Sequence, residues 1–179
     1  MKGRTPLTLG IAALATVALL GCGGKKTPET EPRDRTEPTA TTTDRDAEEE
    51  ARRRAEERAR AERERAMAEL REPIYFAFDE SELEPSAREK LQRKAEVLRT
   101  YPELRVRIEG HADERGTVEY NLALGERRAE SARSYLIDLG IDGDRLTTVS
   151  YGEERPAVEG SNEAAWSRNR RDEFVPIGS

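Results

Sequence analysis

The chain has one cysteine, one histidine, one tryptophan and two methionines in 179 residues. A single cysteine excludes an internal disulfide framework and any multi-cysteine zinc site. A single histidine excludes two-histidine metal motifs. Aromatic residues make up only 5%, and the three Phe, five Tyr and lone Trp all lie beyond Glu72. Between Cys22 and Glu72 the only large apolar side chains are Met67 and Leu70. No core can therefore form before Glu72, and the apolar residues suffice for one domain, at residues 73–179. The charges, 31 basic against 37 acidic, give a net −6. No segment forms the basic patch that binding to nucleic acid phosphates requires.

What is present begins with an address. Lys2 and Arg4 precede an uncharged run from Leu7 to Leu20. That run is shorter than the roughly 20 helical residues that cross a bilayer, so residues 1–21 read as a secretory signal peptide. Leu19-Leu20-Gly21-Cys22 resembles the bacterial lipobox, whose cysteine is lipidated and becomes the mature N-terminus. Cys22 is then the lipid attachment point. Two or more acyl chains hold a protein to a membrane stably where one is marginal. Gly23 follows Cys22, and not the aspartate of the inner-membrane retention signal. The resemblance thus implies an outer-membrane protein, lipid-anchored on the periplasmic face.

Residues 22–43 hold Pro28, Pro32 and Pro38 among Thr, Glu and Arg, a composition expected to be disordered. Residues 44–72 are rich in Ala, Glu and Arg, strong helix formers. Glu48/Arg52, Glu49/Arg53, Glu50/Arg54 and Glu56/Arg60 are spaced i,i+4 with the acid first, the better orientation. Ala47, Ala51, Ala55 and Ala59 step by four, without the seam of a coiled coil. The expectation is a solvated helix acting by reach, about 44 Å long if fully formed. Self-association of this segment is the alternative.

The remainder alternates strand and helix patterns. Ile74, Phe76 and Phe78 alternate with Tyr75 and Ala77 as a half-buried strand. Pro85 opens a helix whose apolar face is Ala87, Leu91, Ala95 and Leu98. Leu104, Val106 and Ile108 mark a second strand. Thr117 caps a helix with Glu119 in its first turn. Its stripe is Leu122, Gly125, Ala129, Ala132, Leu136 and Leu139, and Gly140 ends it. Strands over 145–151 and 173–177 flank a short helix around Trp166. The order βαβαβαβ predicts an α+β domain, two layers with helices packed on a mixed sheet.

The second strand runs into Gly110-His111-Ala112-Asp113-Glu114-Arg115-Gly116, and the long helix carries Asn121, Leu124, Gly125, Arg128 and Ala129. Tyr151-Gly152, Pro156 and Asn169-Arg170-Arg171 follow. This series resembles the OmpA-like peptidoglycan-binding domain over roughly residues 73–174, and within it the lipoprotein branch that works with the Tol envelope system. The resemblance implies a tether, not an enzyme, with no cofactor and no metal. Its ligand would be the diaminopimelate-containing peptide stem of peptidoglycan, and its partners TolB and other Tol components, with roles in envelope integrity and cell division. An OmpA-like anchoring lipoprotein outside the Tol system is the alternative.

The free end of diaminopimelate carries an ammonium and a carboxylate on one carbon. Binding it takes a fixed anion and a fixed guanidinium, the latter able to grip a carboxylate bidentately. The resemblance assigns these roles to Asp113 and Arg128. Asn121, Leu124 and Arg128 share a helix face beside the apolar stripe. Spacing does not show that Asp113 folds back to meet them. Taken alone, Asp113 reads as a loop aspartate capping amides and Arg128 as a solvated helix arginine, whose removal would cost about 1 kcal/mol or less. The resemblance adds Phe76 and Asp79 to the site, and Ala112 and the Asn169-Arg170-Arg171 motif, above all Asn169 and Arg171, to its border. His111 reads as a structural hydrogen-bonder.

Overall fold

The computed structural model of the chain describes residues 42–178, with side chains from Asp44 onward. Cys22, the signal peptide and nearly all of the 22–43 linker lie outside the described residues. Four strands, β1 (Ile74–Tyr75), β2 (Arg105–His111), β3 (Leu146–Gly152) and β4 (Arg171–Ile177), form one sheet in the order β1-β4-β2-β3. β2 and β3 are parallel, whereas β4 runs antiparallel to both β1 and β2. The helices are α1 (Thr42–Arg71), α2 (Pro85–Thr100), α3 (Val118–Asp138) and α4 (Glu163–Asn169). The α+β fold with a mixed sheet is as the pattern predicts. Among the described residues no helix is long and apolar enough to cross a membrane.

The local signals act where expected. Pro85 opens α2, the Thr117 hydroxyl accepts the Tyr120 N–H at the start of α3, and Gly140 beyond its end takes φ +87°. A left-handed residue there closes the helix, and glycine adopts it without strain. The core joins Leu91, Leu98, Val106, Ile108, Ala129, Ala132, Leu136 and Phe174, from α2, α3 and one sheet face.

α3 crosses the sheet with its backbone almost touching β2. A Cβ on Gly110 would lie 1.9 Å from the Gly125 carbonyl oxygen, and one on Gly125 would lie 2.3 Å from Ser150 Oγ. Only glycine permits this approach. It carries the first half of α3 over the end of β2, so the buried face is wider than the stripe. Asn121, Leu124 and Arg128 are buried along with it.

Three expectations fail here. β1 stops at Tyr75, because only Ile74 and Tyr75 pair with β4. Phe78 therefore leaves the alternation and is 56% exposed. Of the four helix pairs, Glu49–Arg53 and Glu50–Arg54 form, while Arg52 turns to Glu56 and Arg60 to Glu64. Both neighbours lie one turn away on an exposed helix, and pairs of either sense differ by only tenths of a kcal/mol.

The third concerns α1, which is not solvated along its whole length. Its last turns belong to the folded body. Leu70 is fully buried in the core and Met67 packs against it. Lys94 of α2, itself wholly buried, donates from Nζ to the carbonyls of Glu69, Leu70 and Glu72 at 2.8, 2.9 and 2.5 Å. Burial pushes its ammonium down to about 7, against the pull of Glu72 and Glu69. Arg93–Glu69 and Lys90–Glu72 ion pairs flank it. Leu70→Ala should lower stability by about 2–5 kcal/mol, whereas Ala55→Ser on the exposed part should change it by under about 0.5 kcal/mol. Urea denaturation of the two variants compares them.

Candidate functional site

The end of β2, the start of α3, the loop after β1 and the end of α4 converge on one cleft. It has a volume of about 190 Å³, and its walls include Phe78, Asp79, Asp113, Arg115, Arg128 and Arg170. Ala112, Gly116, Tyr120, Asn121 and Leu124 complete it.

Arg128 is fully buried at its base. Nε donates to the Glu80 carbonyl at 2.7 Å, Nη1 to that of His111 at 2.8 Å and Nη2 to that of Ala77 at 3.1 Å. The reading of Arg128 as a solvated arginine at the stripe's edge is thus corrected. Its guanidinium ties the β1 loop to the end of β2, and three carbonyls replace the water it has lost. Five N–H donors meet three acceptors, and Arg128 is also among the residues lining the cleft. Burial lowers its pKa to about 10, against nearby Asp172 and Asp113, which leaves it charged at neutral pH.

Asp113 is 4% exposed. Arg115 grips it through its backbone N–H and its side chain, and Arg170 Nη1 reaches it at 3.3 Å. Burial alone would raise its pKa, but the hydrogen bonds from Arg115 and Arg170 outweigh this and hold the carboxyl below the usual range. The cleft therefore joins a fixed anion to a fixed guanidinium.

The other expected site residues divide. Asn121 is buried, and its Nδ2 lies 3.1 Å from the Asp113 carbonyl, 3.2 Å from that of Arg115 and 2.5 Å from Glu153 Oε2. It holds the loop that presents Asp113. Asp79 lines the cleft at φ +58° and accepts the Tyr120 hydroxyl. Such a conformation is sparsely populated outside glycine, with Asp among the residues that tolerate it. Ala112 lines the wall.

Phe76 does not line the cleft; its ring lies beneath Arg128, 5.0 Å from the guanidinium carbon. Asn169 holds the backbone of Ala157 and Val158 instead. Arg171 pairs with Glu173 and bonds the Arg155 carbonyl. It faces away because successive residues entering a strand point to opposite sides. By the same alternation Arg170 faces the cleft, donating to Phe76 O, Asp113 and Glu163. Phe78, Arg115 and Tyr120 are the lining residues that sequence reasoning missed, while of the Asn169-Arg170-Arg171 motif expected at the border only Arg170 lines the cleft. For Arg170 the signal was present, since two adjacent arginines before a strand cannot share a face.

One described trio could offer atoms to a metal, Glu109, His111 and Glu173, within 4.8 Å of one another. Arg107 pairs with Glu109 and Arg171 with Glu173. Burial and the nearby Arg171 push His111 down to about 4, against Glu173, and Arg155 adds to the fall. With three guanidiniums beside two carboxylates, no excess negative charge attracts a cation. His111 makes no hydrogen bond through its ring and lies 5.6 Å from the Tyr151 ring, centroid to centroid. Asp172 is fully buried and its carboxyl makes no hydrogen bond; burial pushes its pKa up, against the pull of Arg128 and Arg171.

Residues 75–170 match the OmpA family. The chain belongs to the OmpA family. It is 37% identical over 161 residues to the peptidoglycan-associated lipoprotein of Mesorhizobium japonicum, covering 90% of this chain and 86% of that protein. It is 48% identical to the Rhizobium meliloti protein of the same name over 98 residues, 55% of this chain and 56% of the relative. Several such relatives are thus matched over less than two thirds of their length. The crystal structure of the peptidoglycan-associated lipoprotein from Burkholderia pseudomallei superposes with a TM-score of 0.57 at 41% identity. That match covers 59% of this chain and 89% of the other. The C-terminal domain of Helicobacter pylori MotB, at 19% identity and a TM-score of 0.57, shares the fold.

Proposed function

We propose that the chain is a non-catalytic tether between the outer membrane and the cell wall. Acyl chains on Cys22 hold the membrane, and the C-terminal cleft holds the diaminopimelate end of a peptidoglycan stem. The observation that carries this reading is the pairing of buried Asp113 and buried Arg128 in one cleft. Arg128 takes the ligand's carboxylate and Asp113 its ammonium. Similarity to the peptidoglycan-associated lipoproteins supports the wall as the source of that group. We extend the reading to the Tol system, with TolB docking over the same face.

Purified full-length protein should sediment with sacculi, and millimolar free diaminopimelate should release it. Retention unaffected by diaminopimelate would remove the cleft from the mechanism. Cys22→Ala should take up no labelled palmitate in cells, because Cys22 is the chain's only thiol. Undiminished label would remove the anchor.

A further inference from the structure

Asp113 is saturated. Oδ1 accepts from Arg115 N at 3.1 Å and Arg115 Nε at 3.0 Å. Oδ2 accepts from Arg115 Nη2 at 2.7 Å and Arg170 Nη1 at 3.3 Å. A carboxylate offers about four lone-pair sites, and four donors fill them here. An ammonium brings three donors and no acceptor, so it cannot join this carboxylate until a donor leaves.

The donors differ in their freedom to leave. The Arg115 N–H belongs to the loop that Asn121 pins. The Arg170 side chain is 8% exposed and tied by its other nitrogens to the Phe76 carbonyl and Glu163. The Arg115 side chain is 30% exposed. Beyond Asp113, it is held by aromatic faces, 3.9 Å from the Phe78 ring and 4.1 Å from that of Trp166, and by Glu163 at 3.8 Å.

We propose that the Arg115 guanidinium occupies the cleft's cation subsite until a ligand displaces it. An amino-acid head group then binds by exchanging its ammonium for that guanidinium on Asp113. This rests on the reading that Asp113 receives the ligand's ammonium. The exchange replaces one cation by another, so Asp113 is at no point a buried lone anion, the arrangement that would cost most. The departing guanidinium has an anion at the rim, since the Glu163 side chain is 64% exposed. Arg115 is a specificity-determining residue in this scheme. A ligand without an ammonium cannot displace it, and the affinity of one with an ammonium is lowered by the competition.

The sign of one substitution separates this role from a structural one. If Arg115 only props the loop, removing its side chain weakens binding; if it competes, removal tightens binding. The test is calorimetric titration of the full-length protein with the tripeptide L-Ala-γ-D-Glu-meso-diaminopimelate. Arg115→Met, which keeps an apolar stem between Phe78 and Trp166, should bind about 10-fold tighter than wild type, or about 1.4 kcal/mol.

A second readout needs no variant. In the wild-type protein the Arg115 Nε–H resonance should shift on saturation with the tripeptide, as its contact with Asp113 breaks. An unchanged Nε–H signal at saturation, or binding by Arg115→Met no tighter than wild type, would overturn the proposal. Asp113→Asn keeps the two failures apart. If it abolishes binding while Arg115→Met is not tighter, the exchange alone fails. If wild type does not bind the tripeptide, the exchange falls together with the site.

Discussion

Arg128→Ala should be the most damaging single substitution in the cleft, for folding as well as binding. The side chain is fully buried, and its guanidinium satisfies carbonyls at Ala77, Glu80 and His111. An unsatisfied buried acceptor costs about 1–3 kcal/mol, and the vacated volume adds a cavity term. We expect a loss of at least about 3 kcal/mol and a Tm lower by at least roughly 10 °C, measured by calorimetry. Arg128→Lys keeps the charge but cannot span three carbonyls or present a planar fork to a carboxylate. It should fold better than the alanine variant and still lose at least about 30-fold in sacculus binding, the lower end of the loss for a broken buried charge pair.

Asp113→Asn isolates the anion with little change of shape. It should bind the stem about 30- to 3000-fold more weakly, from the 2–5 kcal/mol that losing one buried charge partner typically costs. Its effect on stability carries a pH signature. The folded pKa of Asp113 lies below its ordinary value, held there by Arg115 and Arg170 against burial. The unfolded state therefore takes up its proton first, and the stabilisation is present above the ordinary carboxylate pKa. It is lost as pH falls through the folded value. Wild type should exceed Asp113→Asn in stability at neutral pH, with the gap closing below about pH 4. A gap independent of pH would mean that the carboxylate's charge does not contribute.

What the sequence made legible follows the range of the forces involved. The Thr117 cap, the Gly140 stop, the apolar positions of α2 and those of α3 from Gly125 onward are set by neighbours within a turn or two, and the structure has them in place. Leu122, by contrast, is only half-buried and outside the core. Periodicity tells which way a side chain points but not what covers it. Arg128 points beside the stripe, yet its carbonyl partners lie 48, 17 and 51 residues away. No local pattern contains them. Leu70 likewise looked like an isolated apolar residue on a charged helix, because its partners in the core come from later in the chain. Phe78 was misplaced because alternation continues past Tyr75 whereas pairing does not. The motif resemblance located Asp113, Arg128, Asp79 and Ala112 in the cleft. It did not carry Arg115, whose stacking between Phe78 and Trp166 depends on residues 37 and 51 positions distant.

The central claim is that the cleft reads an ammonium and a carboxylate on the same carbon. Two stem tripeptides differing only at the third residue test it: one with meso-diaminopimelate, the other with L-lysine. The lysine peptide keeps the side-chain ammonium for Asp113 but offers Arg128 no carboxylate beside it. In calorimetric titrations of the wild-type protein, the diaminopimelate peptide should bind at least about 30-fold more tightly than the lysine peptide. Equal affinity for the two would contradict the account.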